Sequence, residues 1–300
     1  LGELWNLFRF INPGLLGSKE RFAAKFSGPI ERGDKTAKQH LKKLIQPFIL
    51  RRTKTQVLSE LPPRTEITLK VELSKDERHL YEALRQEAVE KLDAAGGDEN
   101  RAMRVLAEIT RLRRFCCNPK LTLPNSTLEG SKLAAFGEIT EELLENNHKA
   151  LVFSQFVDHL AIVREWLEEK GISYQYLDGS TPIMERKKRV DAFQAGIGDV
   201  FLISLKAGGT GLNLTAADYV IHLDPWWNPA VEDQASDRAH RMGQQRPVTI
   251  YRLVAQDTIE EQILALHAEK RDLADSLLEG GDATGKMDTA ALLGLLRGGN

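Results

Sequence analysis

The sequence has few cysteines, no long hydrophobic run and no net basic charge. Each absence excludes some classes of protein. Its two cysteines, Cys116 and Cys117, are adjacent and cannot form an ordinary framework disulfide, which favours a reducing, intracellular setting. No uninterrupted apolar stretch approaches the ~20 residues of a membrane span, so we expect no membrane partner. The net charge of −2 excludes binding to nucleic acid through an overall positive field.

Charge is nevertheless unevenly distributed along the 300 residues. Residues 1–60 carry 12 Lys/Arg and 5 Asp/Glu. Any contact with nucleic acid must therefore come from local patches. The first residues, Leu1-Gly-Glu-Leu-Trp5, lack an initiator Met and a basic n-region, so we expect a piece of a longer protein.

After about residue 130, the order of predicted elements indicates an α/β fold. Helices alternate there with short, nearly all-apolar strands. The predicted strands are 150–154, 173–177, 199–204, 219–224 and 248–254. Such strands, separated by helices, predict a parallel sheet covered by helices on both faces.

The part before this α/β region predicts helices and one strand. Residues 1–60 indicate short helices, and Thr65–Leu73 alternates polar and apolar residues as a strand does. Ser74 and Glu77 form a capping box that opens a charged helix, and a second helix follows across Arg101–Phe115. We expect these two helices to form an inserted protrusion rather than part of the sheet.

The most informative segment is Gln234-Ala-Ser-Asp-Arg-Ala-His-Arg-Met-Gly-Gln244. On a helix, Gln234, Arg238 and Arg241 fall on one face. Two guanidinium groups aimed in one direction can clamp an oxyanion such as phosphate. The alternative is a solvated helix face with i,i+4 ion pairs, such as Asp237 with Arg241. The apolar strands on either side favour the clamp, because open α/β sheets bind ligands near strand ends.

A glycine-rich segment, Lys206–Asn213, directly follows a predicted strand. Its glycines let the backbone approach a ligand closely and point N–H groups into a concavity. The alternative is a simple tight turn. Leu177–Thr181 also follows a predicted strand, so we expect both loops and the arginine pair at the carboxyl edge of the sheet. There, Arg238 and Arg241 are expected to face solvent.

Five motifs, in this order along the chain, resemble the C-terminal lobe of superfamily-two helicases. They are Val152–Phe156, Leu177–Thr181, Gly208–Asn213, Asp224–Pro229 and Gln234–Gln244. Pro-Trp-Trp-Asn-Pro and Asp-Arg-Ala-His-Arg-Met-Gly-Gln are similar to sequences of the Swi/Snf-type DNA translocases, which remodel nucleosomes or displace bound proteins. Leu1–Trp5 is similar to the segment after the last motif of the first lobe, and Ile49–Arg64 to the segment joining the two lobes.

The resemblance implies a RecA-like parallel sheet with helices on both faces, an N-terminal helical region and a helical protrusion. The implied parts are a helical tail of the first lobe with the interlobe linker (1–64), a strand with the protrusion (65–125), the RecA-like lobe (126–256), a brace helix (257–279) and a flexible tail (280–300). Within that tail, Ala290–Leu296 predicts a short helix. It also implies a monomer that works on double-stranded DNA together with the first RecA-like lobe. The compartment would be the cytoplasm or nucleoid of a bacterium, or the nucleus of a eukaryote.

The resemblance also implies roles for individual residues. Arg238 and Arg241 would be arginine fingers that reach the γ-phosphate of ATP, with Gln234 and Gly211 at the nucleotide. The residues implied in contacts with DNA are Ser154, Gln155, Gly179, Thr181, Lys206, Gly209, Thr210, Gly211 and Trp227. Those implied in coupling between the lobes are Arg51, Arg52 and Lys54. For Trp226 and Trp227 the alternative is a core or interface plug.

The chain lacks the phosphate-gripping Gly-x-x-x-x-Gly-Lys-Ser/Thr loop and the acidic Mg²⁺ motif of the family's first lobe. We therefore expect ATP with Mg²⁺ only in a full-length protein, no metal site in this chain, and no ATPase activity from the chain alone. Two other functions remain open: an RNA- or DNA-unwinding helicase lobe, and a non-catalytic docking module. The Pro-Trp-Trp-Asn-Pro turn and the protrusion argue against the first, and the intact arginine pair and glycine loop against the second.

Overall fold

The chain divides into two units, each considered by itself. One comprises Leu1–Ser59 with Arg271–Lys286, and the other comprises Glu60–Lys270 with Met287–Asn300. The computed structural model describes residues 1–11, 15–45, 62–94, 101–207, 211–266 and 289–298. Within these ranges, no helix combines the length and the apolar character that crossing a bilayer requires.

Several predicted features fall outside the described residues. These are the linker residues Arg51, Arg52 and Lys54, the loop residues Gly209 and Thr210, and the part of the predicted brace helix beyond residue 266. What sequence analysis assigned to them stays a prediction.

The first unit is helical. Its helices are α1 (Gly2–Ile11), α2 (Lys19–Phe22), a π-helix (Ala23–Ser27), α3 (Gly28–Glu31) and α4 (Lys35–Ile45). They enclose a small apolar core of their own, formed by Trp5, Phe8, Leu16, Phe22, Phe26 and Leu41. The predicted N-terminal helical region is therefore confirmed over the described residues.

A six-stranded sheet with all strands parallel organises the second unit. Its strands are β1 (Arg64–Val71), β2 (Ala150–Ser154), β3 (Tyr174–Leu177), β4 (Val200–Ser204), β5 (Tyr219–His222) and β6 (Val248–Ala255). Their spatial order is β1-β6-β5-β2-β4-β3. All five strands predicted from the apolar runs are present, and the predicted α/β class is confirmed.

Helices cover both faces of this sheet. The helices of the second unit are α5 (Lys75–Ala94), α6 (Arg101–Cys117), a 3₁₀ turn (Pro119–Leu121), α7 (Ser131–Glu145), α8 (Val157–Glu169), α9 (Ile183–Gln194), α10 (Pro229–Ser236), α11 (259–266) and α12 (Thr289–Arg297). Phe136 of α7 and Leu160 of α8 pack on one face. Phe193 of α9 and Ala235 of α10 pack on the other. Because both faces are covered, β2 and β4 are buried at every position.

β1 forms an edge of the sheet beside β6, a position that sequence analysis missed. The prediction grouped this strand with the protrusion. Instead, β1 pairs with β6 along its whole length, from Arg64 opposite Val248 to Val71 opposite Ala255. Most of β1 stays exposed, as an edge strand can, which explains its polar–apolar alternation beside the all-apolar inner strands.

The protrusion consists of α5 and α6, and α12 packs against both. Ile109 of α6 belongs to the same buried cluster as Leu292 and Leu296 of α12. The Arg85 guanidinium of α5 also donates to the carbonyl oxygen of Leu296 at 3.0 Å. The short helix predicted over Ala290–Leu296 is therefore confirmed, because its leucines at helical spacing find an apolar surface to bury against.

Candidate functional site

The arginine-bearing segment is only partly helical. The start of α10 is capped as helix starts commonly are. The Asn228 side chain accepts from the Ala230 N–H at 3.0 Å, and Pro229 is the first residue of the helix. The helix then ends at Ser236. Arg238 already bonds three residues back, to Ala235, and the chain continues in turns. The prediction of one helix face carrying residues 234, 238 and 241 is therefore wrong beyond Ser236.

Arg238 and Arg241 differ in exposure. Arg238 is only 6% exposed, so the expectation that it faces solvent is wrong. Its carbonyl oxygen accepts from the Leu214 N–H at 3.0 Å. Burial, and then the nearby charge of Arg241, lower the pKa of Arg238. Arg241 is half-buried, and its guanidinium donates to the Leu212 carbonyl oxygen at 3.1 Å.

Gln244 shows which edge of the sheet this segment occupies. Its side-chain amide donates to the carbonyl oxygens of Thr215, Ala217 and Ala239, at 3.1, 2.8 and 3.0 Å. Thr215 and Ala217 directly precede β5, so the segment lies near the amino-terminal end of that strand. The expectation of the carboxyl edge is wrong, because α10 leaves the carboxyl end of β5 and runs back along the sheet. Gln234 is exposed on the last turn of α10.

Ser154, predicted to contact DNA, is buried at the carboxyl end of β2. It is 2% exposed and its hydroxyl donates to the Asp224 carboxylate. That geometry leaves its hydroxyl unavailable to a DNA phosphate. The backbone N–H of Gln155 also donates to Asp224, at 3.3 Å. The side-chain nitrogen of Gln155 is buried and finds no acceptor among the described residues.

The loop after β3 is held together by Asp178. Its carboxylate accepts from the N–H and the hydroxyl of Ser180 at 2.8 and 2.6 Å, and from the Tyr176 hydroxyl at 2.7 Å. These bonds, first those of Ser180 and then that of Tyr176, lower the pKa of Asp178 to about 2. The loop is therefore held by hydrogen bonds within the chain itself.

Arg186 of α9 closes the same loop from the other side. Its guanidinium donates to the carbonyl oxygens of Thr181, Asp178 and Gly179 at 2.8, 3.1 and 3.2 Å. Thr181 is 8% exposed and its hydroxyl accepts from the Asp178 N–H at 3.1 Å. Gly179 has no atom within 4 Å of where a Cβ would stand. Of the two residues predicted to hold DNA here, Gly179 is the open one.

Lys206 and Gly211 flank the glycine-rich loop after β4. Lys206 is exposed at the carboxyl end of that strand. Gly211 has a φ of 58°, a left-handed conformation that favours glycine, and open space at its Cβ position. Because β2, β4 and β3 are neighbours in the sheet, Gln155, Lys206 and Gly179 lie along one edge.

Trp226 and Trp227 surround a buried arginine from the protrusion. The Arg113 guanidinium lies 5.5 and 5.2 Å from their ring centres and 5.6 Å from that of Phe156. It also donates to the Pro225 carbonyl oxygen at 2.9 Å. Such cation–π contacts fasten the Pro-Trp-Trp turn to α6. Trp227 also packs against the buried cluster of the protrusion, so the core-plug alternative describes its position, and its contact with DNA stays a prediction.

Cys117, His159 and Asp224 form the one group of potential metal ligands that the described ranges contain. Their ligand atoms lie within 4.8 Å of one another, and all three side chains are buried. Burial opposes ionisation of Asp224, yet hydrogen bonds from His159 and Ser154 keep its pKa below the ordinary value. Burial raises the pKa of the Cys117 thiol, which keeps it protonated. The Ser154 hydroxyl hydrogen-bonds with both His159 and Asp224, and we assign no metal to the group.

Glu232 of α10 carries a buried charge beside the arginine segment. Its carboxylate accepts from Arg252 of β6 at 2.9 Å, and the two side chains are 1% and 7% exposed. Burial raises the pKa of Glu232 to about 7; Arg252 opposes this rise, and Asp224 and Asp233 add to it.

We expect Glu232→Gln to flatten the pH dependence of stability. The pKa of Glu232 is raised in the folded state, so its contribution is fully present below pH 4.5 and is lost as pH rises through 7. Between pH 5 and 8 the wild type should lose about 2–3 kcal/mol of unfolding free energy through this group. Urea unfolding at both pH values measures the difference. Equal pH dependence of variant and wild type would contradict the assignment.

Family models match both parts of the chain. The model of the helicase conserved C-terminal domain matches residues 131–243, and the model of the SNF2-related domain matches residues 1–121. The chain belongs to the Swi/Snf-type family of helicase-like ATPases. Its all-parallel sheet with helices on both faces is the RecA-like fold of that family.

Swi/Snf-type relatives match nearly the whole chain. The putative ATP-dependent helicase/translocase YwqA of Bacillus subtilis is 38% identical over 289 residues, which are 93% of this chain and 31% of that protein. The SWI/SNF-related matrix-associated actin-dependent regulator of chromatin subfamily A member 1 of Mus musculus is 36% identical over 291 residues, 93% of this chain and 28% of that protein. The chain therefore spans between about a quarter and a third of the length of the curated relatives that it matches.

A solved Swi/Snf-type structure has the same fold. The Sulfolobus solfataricus SWI2/SNF2 ATPase core in complex with dsDNA is similar with a TM-score of 0.64 and 34% identity. The match covers 96% of this chain and 62% of that one.

Sequence analysis of this Swi/Snf-type chain did not predict two arginines, Arg64 and Arg113, that lie at the candidate site. Arg64 contacts Asp233 and Asp237 beside the arginine pair. It ends the Ile49–Arg64 segment, which resembles the segment joining the two lobes, but sequence analysis assigned no role to Arg64 itself. Arg113 falls four residues after Ile109, on the buried face of α6. A charge on an apolar helix face was the signal that could have identified it.

Proposed function

We propose that this chain supplies the C-terminal helicase lobe of a DNA-dependent ATPase that translocates on double-stranded DNA and remodels or displaces bound protein. The proposal rests on the positions of Arg238 and Arg241, which lie close together in one segment of the chain. The backbone of one and the guanidinium of the other are fixed by hydrogen bonds to Leu214 and Leu212. Two guanidinium groups so close that one lowers the pKa of the other are stabilised by an anion between them, and phosphate fits this need.

The arginines would act on the nucleotide through charge. ATP with Mg²⁺, bound between the two lobes, would supply the phosphoanhydride bond that is hydrolysed. Arg241, the more exposed of the pair, would reach the γ-phosphate, with Arg238 behind it. Held guanidinium groups stabilise the charge that spreads over the phosphoryl oxygens in the transition state. Gln234 and Gly211, both open to solvent, would border the nucleotide.

Ligands for Mg²⁺ would come from the first lobe. Asp233 and Asp237, which shortly precede the arginine pair in the sequence, both accept from Arg64. This agrees with the absence of the acidic Mg²⁺ motif from the sequence. The linker residues Arg51, Arg52 and Lys54 would couple the two lobes.

The carboxyl edge of the sheet would hold the DNA backbone. Lys206 would supply a cation, and the open Gly179 would let a phosphate approach the main chain. The Gln155 amide, which is buried without an acceptor among the described residues, would donate to DNA after turning outward. Contacts of this kind read no bases, so they give sequence-independent binding. Ser154 and Thr181 would support the loops from beneath, while Gly209, Thr210, Gly211 and Trp227 complete the proposed DNA surface. The similarity to a core solved with dsDNA supports this assignment.

ATP hydrolysis is expected from the full-length protein and not from this chain alone. The chain contains the arginine pair but lacks the phosphate-binding loop that holds ATP in this family. We would measure phosphate release with and without double-stranded DNA, and verify by circular dichroism that the isolated chain is folded. DNA-stimulated turnover by the isolated chain would show that the nucleotide site is complete without a first lobe, and would refute the proposal.

A second measurement separates translocation from unwinding. We expect the full-length protein to displace the third strand of a DNA triplex in an ATP-dependent reaction, and to leave a forked duplex intact. The helical protrusion and the Pro-Trp-Trp turn fastened to it by Arg113 favour this outcome over a strand-separating helicase. Unwinding of the fork without triplex displacement would reverse the assignment.

A further inference from the structure

Arg113 of α6 is a buried cation with which no carboxylate of the described ranges forms an ion pair. It is 3% exposed, and its Nε finds no acceptor in those ranges. Its Nη2 donates to a neutral group, the Pro225 carbonyl oxygen, at 2.9 Å. Burying a charge without an opposite charge is unfavourable, and an apolar side chain of similar length would avoid this penalty. Stability alone therefore does not explain an arginine at this position.

The contacts of Arg113 centre on the turn that follows β5. Its guanidinium carbon lies 5.5 and 5.2 Å from the ring centres of Trp226 and Trp227. It also lies 5.6 Å from the ring centre of Phe156, which follows β2. Because β2 and β5 are paired strands, one guanidinium holds rings from two adjacent strand ends.

The two tryptophans of the turn pack toward different parts of the unit. Trp226 packs against the buried cluster on one face of the sheet, and Trp227 against the buried cluster of the protrusion. Both rings are half-buried, so each keeps some surface open to solvent. Asp224, just before the turn, independently accepts from the backbone N–H of Gln155 at 3.3 Å. Loss of the Arg113 charge should therefore shift the rings without releasing the strand ends.

The position of this turn in the sheet limits which step Arg113 can affect. The turn follows the carboxyl end of β5, at the edge proposed to hold the DNA backbone. The segment with Arg238 and Arg241 lies near the amino-terminal end of the same strand. A change at Arg113 should therefore alter the contact with DNA and leave the proposed nucleotide site intact.

We propose that Arg113 is a positioning residue for DNA binding, which orients the rings of Trp226 and Trp227 so that the turn is preformed for contact with the DNA backbone. This inference rests on the proposed function of the carboxyl edge as the DNA surface. It assigns to a residue of the protrusion a role in the response to DNA, acting through the turn rather than on DNA itself.

The test measures how DNA stimulates ATP hydrolysis by the full-length protein. We expect Arg113→Met to raise the DNA concentration for half-maximal stimulation about tenfold, because the rings lose the charge that holds them. The kcat at saturating DNA, the KM for ATP and the rate without DNA should each stay within about twofold of the wild type. The melting temperature should stay the same or rise, since a buried charge is removed. Arg111→Met breaks ion pairs with Glu87 and Glu108 on the protrusion and, as the matched control, should leave the kinetic values unchanged.

A double variant shows whether Arg113 acts through the turn. Trp227→Leu should itself raise the half-saturating DNA concentration. Adding Arg113→Met should then raise it by less than about twofold more, since the ring that Arg113 orients is gone. Losses that simply multiply would overturn the inference, and so would a wild-type half-saturating concentration for Arg113→Met.

A purely structural role has a different signature. It would lower kcat and the melting temperature together and leave the half-saturating DNA concentration unchanged, and this result would overturn the inference. Arg113→Gln, which keeps a donor for the Pro225 carbonyl oxygen but no charge, repeats the measurement if the methionine variant does not fold. Lys206→Gln is measured in parallel: if it leaves half-saturation unchanged, the proposed DNA surface itself fails. Weaker DNA binding by Lys206→Gln beside an unchanged Arg113→Met would refute only the role of Arg113.

Discussion

Replacing Arg241 with glutamine in the full-length protein should lower ATP hydrolysis by about 10³–10⁵-fold while sparing ATP affinity. The guanidinium matters most when negative charge spreads over the phosphoryl oxygens, so its loss raises the barrier far more than it weakens the ground state. Glutamine keeps a donor for the Leu212 carbonyl oxygen, so the local backbone should stay in place. Single-turnover hydrolysis and equilibrium binding of ATP measure the two effects separately.

Arg246→Gln is the matched control for that experiment. Arg246 lies five residues further along the same segment, and its side chain is 59% exposed and pairs with Asp218 at 3.5 Å. Removing this charge changes the same surface without touching the proposed site, so hydrolysis should remain within about twofold of the wild type. Equal losses in both variants would indicate a general electrostatic effect, and full activity of Arg241→Gln would remove it from the finger role.

Replacing Lys132 with methionine should destabilise the fold by about 3–5 kcal/mol, because it leaves the Glu260 carboxylate buried without its cation. The two side chains are 1% and 0% exposed and form an ion pair between the start of α7 and α11. Burial already raises the pKa of Glu260, and the Lys132 charge opposes that rise. Without the lysine, folding must either protonate Glu260 or bury its charge. Urea unfolding at pH 7 measures the cost.

A double variant separates charge from packing in this experiment. Glu260→Gln retains a carbonyl oxygen for the Ala255 N–H, which donates to Glu260 at 2.9 Å. Lys132→Met with Glu260→Gln should therefore be clearly more stable than Lys132→Met alone. Lys91→Met, which breaks a surface pair with Glu87, should cost no more than about 1 kcal/mol. A small loss for Lys132→Met would mean that the buried carboxylate is neutral in the native protein.

The inner strands of the sheet were predictable because burial on both faces leaves a local signature. β4 consists of Val200, Phe201, Leu202, Ile203 and Ser204, and such a run between helices admits few other structures. β1 was recognised as a strand but not as part of this sheet. Its partner, β6, lies far along the chain, and nothing in Thr65–Leu73 says which edge it joins.

The end of α10 could not be predicted, because long-range contacts determine it. By spacing alone, Gln234 to Arg241 suits a helix. In the structure, Arg64 contacts Asp237, which lies 173 positions further along the chain, and the Leu214 N–H donates to the carbonyl oxygen of Arg238. These tertiary contacts compete with the local i→i+4 bonds and prevail after Ser236. The residue types of the candidate site could therefore be predicted from the sequence, but the orientation of their side chains could not.

Polarity in the sequence also did not indicate exposure. Ser154 and Thr181 stand at strand ends, where polar side chains suggest contact with a ligand. Both are buried, and they hydrogen-bond to Asp224 and Asp178 instead. Lys206, Gln155 and Gly179 stand in similar positions but keep an exposed or unbonded group. A hydrogen-bonding neighbour such as Asp224, seventy positions from Ser154, is visible only once the sheet is assembled.

The edge position of β1 has a consequence for synthesis on the ribosome. Among the described strands, β1 pairs only with β6, and Arg64 pairs with Val248, which is synthesised 184 positions later. At roughly 5–20 residues per second, the strand stays without its partner for roughly 10–40 s while β2 to β5 assemble. During that time its amide and carbonyl groups form an open template for another nascent chain. The charges of Glu66 and Lys70 along β1 oppose such pairing, so the polar residues that set this strand apart from the apolar inner strands also protect it before the sheet closes.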